Sequence, residues 1–328
     1  MSELSKFLFE GLPVRGMLVR LTDAWQDLLR RRATVGAYPA EVRALLGEMS
    51  AAGVLMQANI KFNGALVLQV FGDGPVKLAV AEVQPDLSFR ATATVLGEVP
   101  AGAGLEALLN VHGQGRCAIT LDPKDKRPGQ QAYQGVVPLF DTTKGEGREP
   151  LQQVSQVLEH YMLQSEQLDT RLVLAADDHV AAGLLIQRMP VEGDANLEGA
   201  AGSMSRRNED DIGLSDAFNR IALLAATLTR DELLALPPEQ ILRRLFWEES
   251  LRTFEPQRPR FACSCSRERV RGMLLSLGRE ESESLIEERG VVEVGCEFCG
   301  IQYHFDAVDV GEMFTPVRDQ PPASDGVQ

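Results

Sequence analysis

Apolar side chains recur at three- and four-residue steps in some stretches of this chain and alternate with polar ones in others, and the two periods divide it into helices and strands. After an extended start, Trp25, Leu28 and Leu29 share one face of an amphipathic stretch that runs to about Ala33. Beyond Pro39, the spacing of Val42, Leu45, Leu46, Met49 and Ala52 predicts a core-facing helix. The pattern then turns to strands. Residues 66–71 and 76–80 flank Gly72-Asp73-Gly74-Pro75, a turn cluster that predicts a hairpin, and shorter strands follow at 91–95, 117–121 and 134–140. Leu151, Val154, Leu158, Tyr161 and Met162 mark another helix, residues 171–175 and 183–187 another pair of strands, and Pro190 closes the domain. Strands and helices mix here without a regular βαβ rhythm. That predicts an α+β N-terminal domain over 1–190, with antiparallel sheets and packed helices.

The character of the chain changes after that point. Residues 191–211 are rich in Gly, Ala, Asn, Asp, Ser and Arg and hold almost no large apolar side chain, which predicts a flexible connector. Ala217, Phe218, Ile221, Leu224, Ala225 and Leu228 then trace a helical stripe. Thr229 and Glu232 have the spacing of a capping box, and Pro237-Pro238 opens a third short helix carrying Ile241, Leu242, Leu245, Phe246 and Trp247. Residues 191–257 therefore form a linker, flexible first and helical afterwards, whose apolar stripes must dock on a neighbouring domain. A small module over 258–316 follows, with a helix at 267–277, an acidic helical turn at 282–288 and a short strand at 291–294. Residues 317–328 are expected to be a disordered tail.

Charge sharpens this division. The net charge of -14 is spread as -3 over residues 1–190, -4 over 191–260 and -7 over 261–328. Nucleic-acid binding needs clustered Lys and Arg facing phosphate, so the sign of the last module argues against it. Arg30-Arg31-Arg32 is a run of three at a helix end, the ordinary place for solvated basic residues. No window approaches the eighteen apolar residues of a membrane span, and Glu3 and Glu10 interrupt any secretory leader, so a cytoplasmic protein is expected. The glycines of residues 72–75 are not followed by Gly-Lys-Ser/Thr, as a phosphate-binding loop would be. His112, His160, His179 and His304 fall in no catalytic motif, so the chain is not expected to be an enzyme.

The chemistry lies in the cysteines. Cys263-Ser264-Cys265 and Cys296-Glu297-Phe298-Cys299 are two close pairs separated by thirty residues, which can supply four thiolates to one tetrahedral zinc ion per chain. Structural disulfides are the other reading, and they would need an oxidising compartment. Zinc-bound thiolates remain oxidisable, so such a site is either an inert brace or a switch. His304, five residues past Cys299, is expected on the surface rather than as a ligand. Cys117 lies in an alternating apolar run with Ile119 and Leu121, as a packed strand residue does.

The residues around the cysteines decide between brace and switch. Cys263 to Arg269 and Cys296 to Gly300, with Tyr303, Phe305 and Asp306 after them, closely resemble the heat-shock protein 33 family of redox-regulated chaperones. The N-terminal domain resembles it too, in the same order: Leu8 to Gly16 (Leu-Phe-Glu-x-x-x-Val-Arg-Gly), Gly72 to Pro75, Tyr133 to Val137, and Ser165 to Arg171. The likeness covers all but about Val191–Asp211 and the last ten residues. It implies a holdase that needs no ATP, binds unfolded proteins under oxidative stress and dimerises on activation. It further implies zinc on Cys263, Cys265, Cys296 and Cys299 in the reduced protein, and Cys263–Cys265 and Cys296–Cys299 disulfides in the oxidised one. Client binding is then expected on the linker stripes, at Phe218, Ile221, Leu224, Leu242, Leu245 and Phe246. Two other classes compete. A thiol-disulfide oxidoreductase would use Cys296 and Cys299, but the pair lacks a strand-to-helix setting. A zinc-ribbon nucleic-acid-binding protein would need basic surface that the module does not have.

Overall fold

The structure is a computed structural model that describes residues 1–125, 131–142, 149–189 and 216–315. The expected connector at 191–211, the tail at 317–328 and most of the loop around Arg127 lie outside the described residues. By internal contacts the chain divides into two units, Met1–Ala262 and Cys263–Gln328.

The first unit is built on two sheets and one long helix. Strands β1 (Glu3–Phe9), β2 (Val14–Leu21), β8 (Thr170–Ala176), β9 (Ala181–Arg188) and β10 (Leu251–Thr253) form an antiparallel sheet in the order β10-β1-β2-β9-β8. Strands β3 (Gly64–Phe71), β4 (Val76–Val83), β5 (Ser88–Val95), β6 (Arg116–Pro123), β7 (Tyr133–Pro138) and β11 (Arg260–Phe261) form the other, in the order β11-β5-β4-β3-β6-β7. All neighbours in it are antiparallel except β11 with β5. Helix α2 (Ala40–Asn59) packs against strands of both sheets and is buried on nearly every side. Three more helices complete this layer: α1 (Asp23–Ala33), the short α3 (Leu105–Leu109) and α4 (Val154–Glu166). The α+β class with antiparallel sheets is thus the observed one.

The core follows the strand period. In β2, Met17, Val19 and Leu21 face α2, whereas Val14 and Leu18 face the other way. That second face of the five-stranded sheet is where the striped helices dock. Helix α5 (216–226), α6 (Arg230–Ala235) and α7 (Pro238–Leu245) lay Phe218, Ile221, Leu233, Ile241, Leu245 and Phe246 against it. Phe246 meets the rings of Phe9 at 5.0 Å and Phe7 at 6.2 Å. The predicted capping box opens α6, with the Thr229 side chain accepting from the Glu232 amide. Arg20 donates from Nη1 to the carbonyls of Leu233 and Leu236, and Arg230 donates to the carbonyl of Ala176. Residues 216–262 therefore belong to the first unit.

The second unit is small. It holds α8 (Arg267–Leu277), α9 (Arg279–Arg289), the hairpin of β12 (Val292–Gly295) and β13 (Gln302–Phe305), and α10 (Ala307–Met313). Its core is five buried side chains: Leu274, Val292, Phe305, Val310 and Met313. No helix among the described residues is long and apolar enough to cross a membrane.

Candidate metal centre

The two cysteine pairs reach the same place by different means. Cys263 and Cys265 lie on an extended segment that ends where Ser266 caps α8, its side chain accepting from the Arg269 amide. Ser264 accepts a hydrogen bond from Arg269 Nη1 at 2.7 Å, which fastens the segment to the helix behind it. Cys296 and Cys299 occupy the turn of the β12–β13 hairpin. There Cys296 N donates to Ile301 O at 2.9 Å and Gly300 N donates to Cys296 O at 2.8 Å. Gly300 takes φ +73°, in the left-handed region open to glycine, as the turn after Cys299 requires.

The four ligand atoms all lie within 4.8 Å of one another, and no other group of three or more His, Cys, Asp or Glu among the described residues could hold a metal ion. Sγ of Cys263 is 3.6 Å from that of Cys296, and Sγ of Cys265 is 3.4 Å from that of Cys299. These are separations of free thiols. Sulfurs on a tetrahedral zinc with bonds of about 2.3 Å would stand about 3.8 Å apart, so small adjustments would admit the ion. Four soft sulfur donors and nothing else at the centre suit zinc.

Protonation at the centre shows the same thing from the other side. Burial pushes the Cys263 and Cys299 thiols up. Burial acts on Cys265 as well, but hydrogen bonds from Tyr303, Cys299, Cys263 and Cys296 outweigh it and hold that thiol below its ordinary range. Burial thus works against charge on Cys263 and Cys299, whereas hydrogen bonds favour it on Cys265. Tyr303 donates from its hydroxyl to Cys265 Sγ at 3.2 Å, and that bond chiefly raises the phenol. Sequence reasoning gave Tyr303 no role. Its signal was its place among the residues after Cys299 that carry the family resemblance.

The surroundings hold the arms in place. Arg267 lies over the Phe305 ring at 4.2 Å and donates to His304 O and Asp309 Oδ2, both at 2.8 Å. Asp306 caps α10 in a full capping box with Asp309. His304 is exposed, with its Nδ1 3.3 Å from Glu293 Oε1, and is no part of the cluster. Cys117 is fully buried in β6, where desolvation pushes its thiol up to about 12. Of the six side chains expected to meet clients, Phe218, Ile221, Leu242, Leu245 and Phe246 are buried and Leu224 is half-buried. Leu223 and Trp247, beside them, are exposed.

Comparison with known proteins agrees with this geometry. The family model described as Hsp33 protein matches residues 2–306. The 33 kDa chaperonin of Chromobacterium violaceum is 45% identical over 313 residues, covering 95% of this chain and 93% of the relative. That of Methylobacillus flagellatus is 41% identical over 313 residues, covering 95% and 94%. The crystal structure of the 33 kDa chaperonin (heat shock protein 33 homolog) from Thermotoga maritima superimposes with a TM-score of 0.71 at 21% identity, covering 95% of this chain and 97% of that one. At that identity the likeness speaks for the fold alone.

Proposed function

The chain belongs to the Hsp33 family, and from that premise we propose that it is a redox-regulated, ATP-independent holdase whose switch is the four-cysteine centre. The observation that carries the reading is the gathering of four thiols, drawn from two distant segments, in a unit whose hydrophobic cluster among the described residues has five buried members. A unit of this size is marginal on its own core. One zinc ion held by Cys263, Cys265, Cys296 and Cys299 would contribute about 10–16 kcal/mol to its fold, as structural zinc does in comparable modules.

Oxidation acts on the sulfurs. We take the pairs to be Cys263 with Cys265 and Cys296 with Cys299. Counted from the thiol forms, each pair breaks two S–H bonds, forms one S–S bond and gives two electrons to one hydrogen peroxide, which becomes two waters. The disulfides are no longer thiolate donors. Each closes only a small ring, so the thirty residues between the pairs are left untethered and the two arms separate.

The switch then has to reach the apolar surface. Residues 191–257 act in this reading as the linker that responds. Their helices dock on the five-stranded sheet of the first unit, so the loss of order that begins at Cys263 must extend back through β11, β10 and α7 before Phe218, Ile221, Leu242, Leu245 and Phe246 are uncovered. Local opening of that kind favours broad binding of unfolded clients, because exposed apolar area selects by hydrophobicity and not by shape. Four reduced thiols imply the cytoplasm, and dimerisation accompanies activation. No catalytic turnover is assigned.

Light scattering of a denatured client tests the proposal. Reduced, zinc-loaded protein should leave aggregation unchanged and peroxide-treated protein should suppress it at near-stoichiometric ratio. Equal behaviour of the two forms would contradict it.

A further inference from the structure

A cavity of about 110 Å³ in the first unit lies between the end of α2, the end of α4 and the inner faces of both sheets. Its walls are apolar: Met56, Ile60, Ile119, Leu121, Met162 and Leu185. Arg15 and Asn59 supply its polar lining, and both are held from behind by one buried amide. Gln187, which has no exposure, accepts at Oε1 from Arg15 Nε (3.2 Å), Arg15 Nη2 (2.5 Å) and Asn59 Nδ2 (2.8 Å), and donates from Nε2 to Thr170 Oγ1 (2.9 Å). Two polar groups remain without partners among the described residues. Arg15 Nη1 is open to solvent and makes no hydrogen bond to protein, and Arg15 forms no ion pair, while Asn59 Oδ1 is a buried acceptor that no donor fills.

The second basic group nearby is already engaged. Lys6 donates from Nζ to Ala58 O at 2.7 Å, which supplies the C-terminal end of α2 with the positive charge its own last turn lacks. Arg15 is thus the cation with unused capacity, and burial works against its charge. At the mouth, Glu166 is exposed and its Oε1 accepts from the Tyr161 hydroxyl at 3.1 Å.

Three of the segments that carry the family resemblance meet at this place. Leu8–Gly16 provides Arg15, and Ser165–Arg171 provides Glu166, Leu168 and Thr170. From Tyr133–Val137, Gly135 lies so close to Tyr161 that a Cβ would stand 2.5 Å from its ring. The chaperone reading uses none of them. We propose that the cavity is a binding site for a small aliphatic monocarboxylate, its carboxylate on Arg15 Nη1 and its tail along the apolar walls.

Three features set the ligand class. The free guanidinium edge selects a planar anion. The volume is somewhat below that of an engineered apolar cavity of about 150 Å³ that holds benzene, which limits the tail to about four to six carbons. The Glu166 carboxylate at the mouth excludes a second negative charge on the far end of the ligand.

The test is an NMR titration of the reduced, zinc-loaded full chain labelled at its methionine methyl groups. Pentanoate should shift, saturably, two of the nine methionine signals, those lost in Met56→Leu and Met162→Leu. Pentylamine, with the same tail and opposite charge, and glutarate should each bind at least about ten-fold more weakly. Arg15→Gln, folded but of lower melting temperature because Gln187 loses two donors, should weaken pentanoate binding by a similar factor, and undiminished binding to it would overturn the proposal. If that variant does not fold, Leu121→Phe, which fills the apolar end and leaves the Gln187 network alone, decides the matter by abolishing the shifts. Absence of saturable shifts at both methionines, equal binding of pentylamine, or undiminished binding to Leu121→Phe would overturn the proposal.

Discussion

Glu48 shows how far a residue's chemistry depends on what packs around its element. It sits on α2 beside Met49, and burial raises its carboxyl from the usual 4.5 to about 7, with Arg230 acting in the opposite direction. A carboxyl whose folded pKa is raised contributes its full stability below pH 4.5 and loses that contribution as the pH climbs through 7. Glu48→Gln keeps the neutral form at every pH. It should match the parent in denaturant stability at pH 5 and exceed it by about 1–3 kcal/mol at pH 8; equal stability at both values would show that Glu48 is solvated. The helical period placed Val42, Leu45, Leu46 and Met49 on the core side correctly. It could not show that α2 is covered from both sheets, or that Glu48 on the remaining flank is half-buried beside α3 and the start of α4. The cysteines were legible for the opposite reason, since ligand type and spacing are local properties of the chain. The contact of Tyr303 with Cys265 was not, because it spans thirty-eight positions.

Elements were readable in proportion to how much of their order is their own. The hairpin around Gly72–Pro75, the capping box at Thr229 and the strands at 171–175 and 183–187 carry their own turn, cap or alternation, and all are present. Strands β10, β11 and β13 and helix α10 were not anticipated. Two of those strands have three and two residues and exist only as additions to sheet edges. The helix rests on the Asp306 cap and five buried side chains shared with distant segments. The linker stripes were seen, yet the surface that receives them was not, because the alternation in β1 and β2 points apolar residues to both faces of that sheet. This docking is testable at Phe246, which fills the space between Phe7 and Phe9. Phe246→Ala should destabilise the docked helices by about 3–5 kcal/mol, as truncations of buried Phe do. Under the holdase reading, client aggregation should then be suppressed at lower peroxide or lower temperature than in the parent. Unaltered activation with the expected loss of stability would separate the docked helices from the switch.

Across the whole molecule the two units differ in what keeps them folded. The first has a continuous core between its sheets and around α2. The second carries half of the net charge, holds five buried apolar side chains and draws its cysteines from segments thirty residues apart. Its order should therefore follow the state of the four sulfurs, and the linker should follow its order. Hydrogen exchange measured by mass spectrometry, on the same preparation before and after peroxide and with released metal quantified, tests this most directly. The account predicts one zinc per chain released, loss of protection across 263–315 and then 216–247, and retained protection in β3 to β6. A second unit that stayed protected after its metal had gone would contradict it.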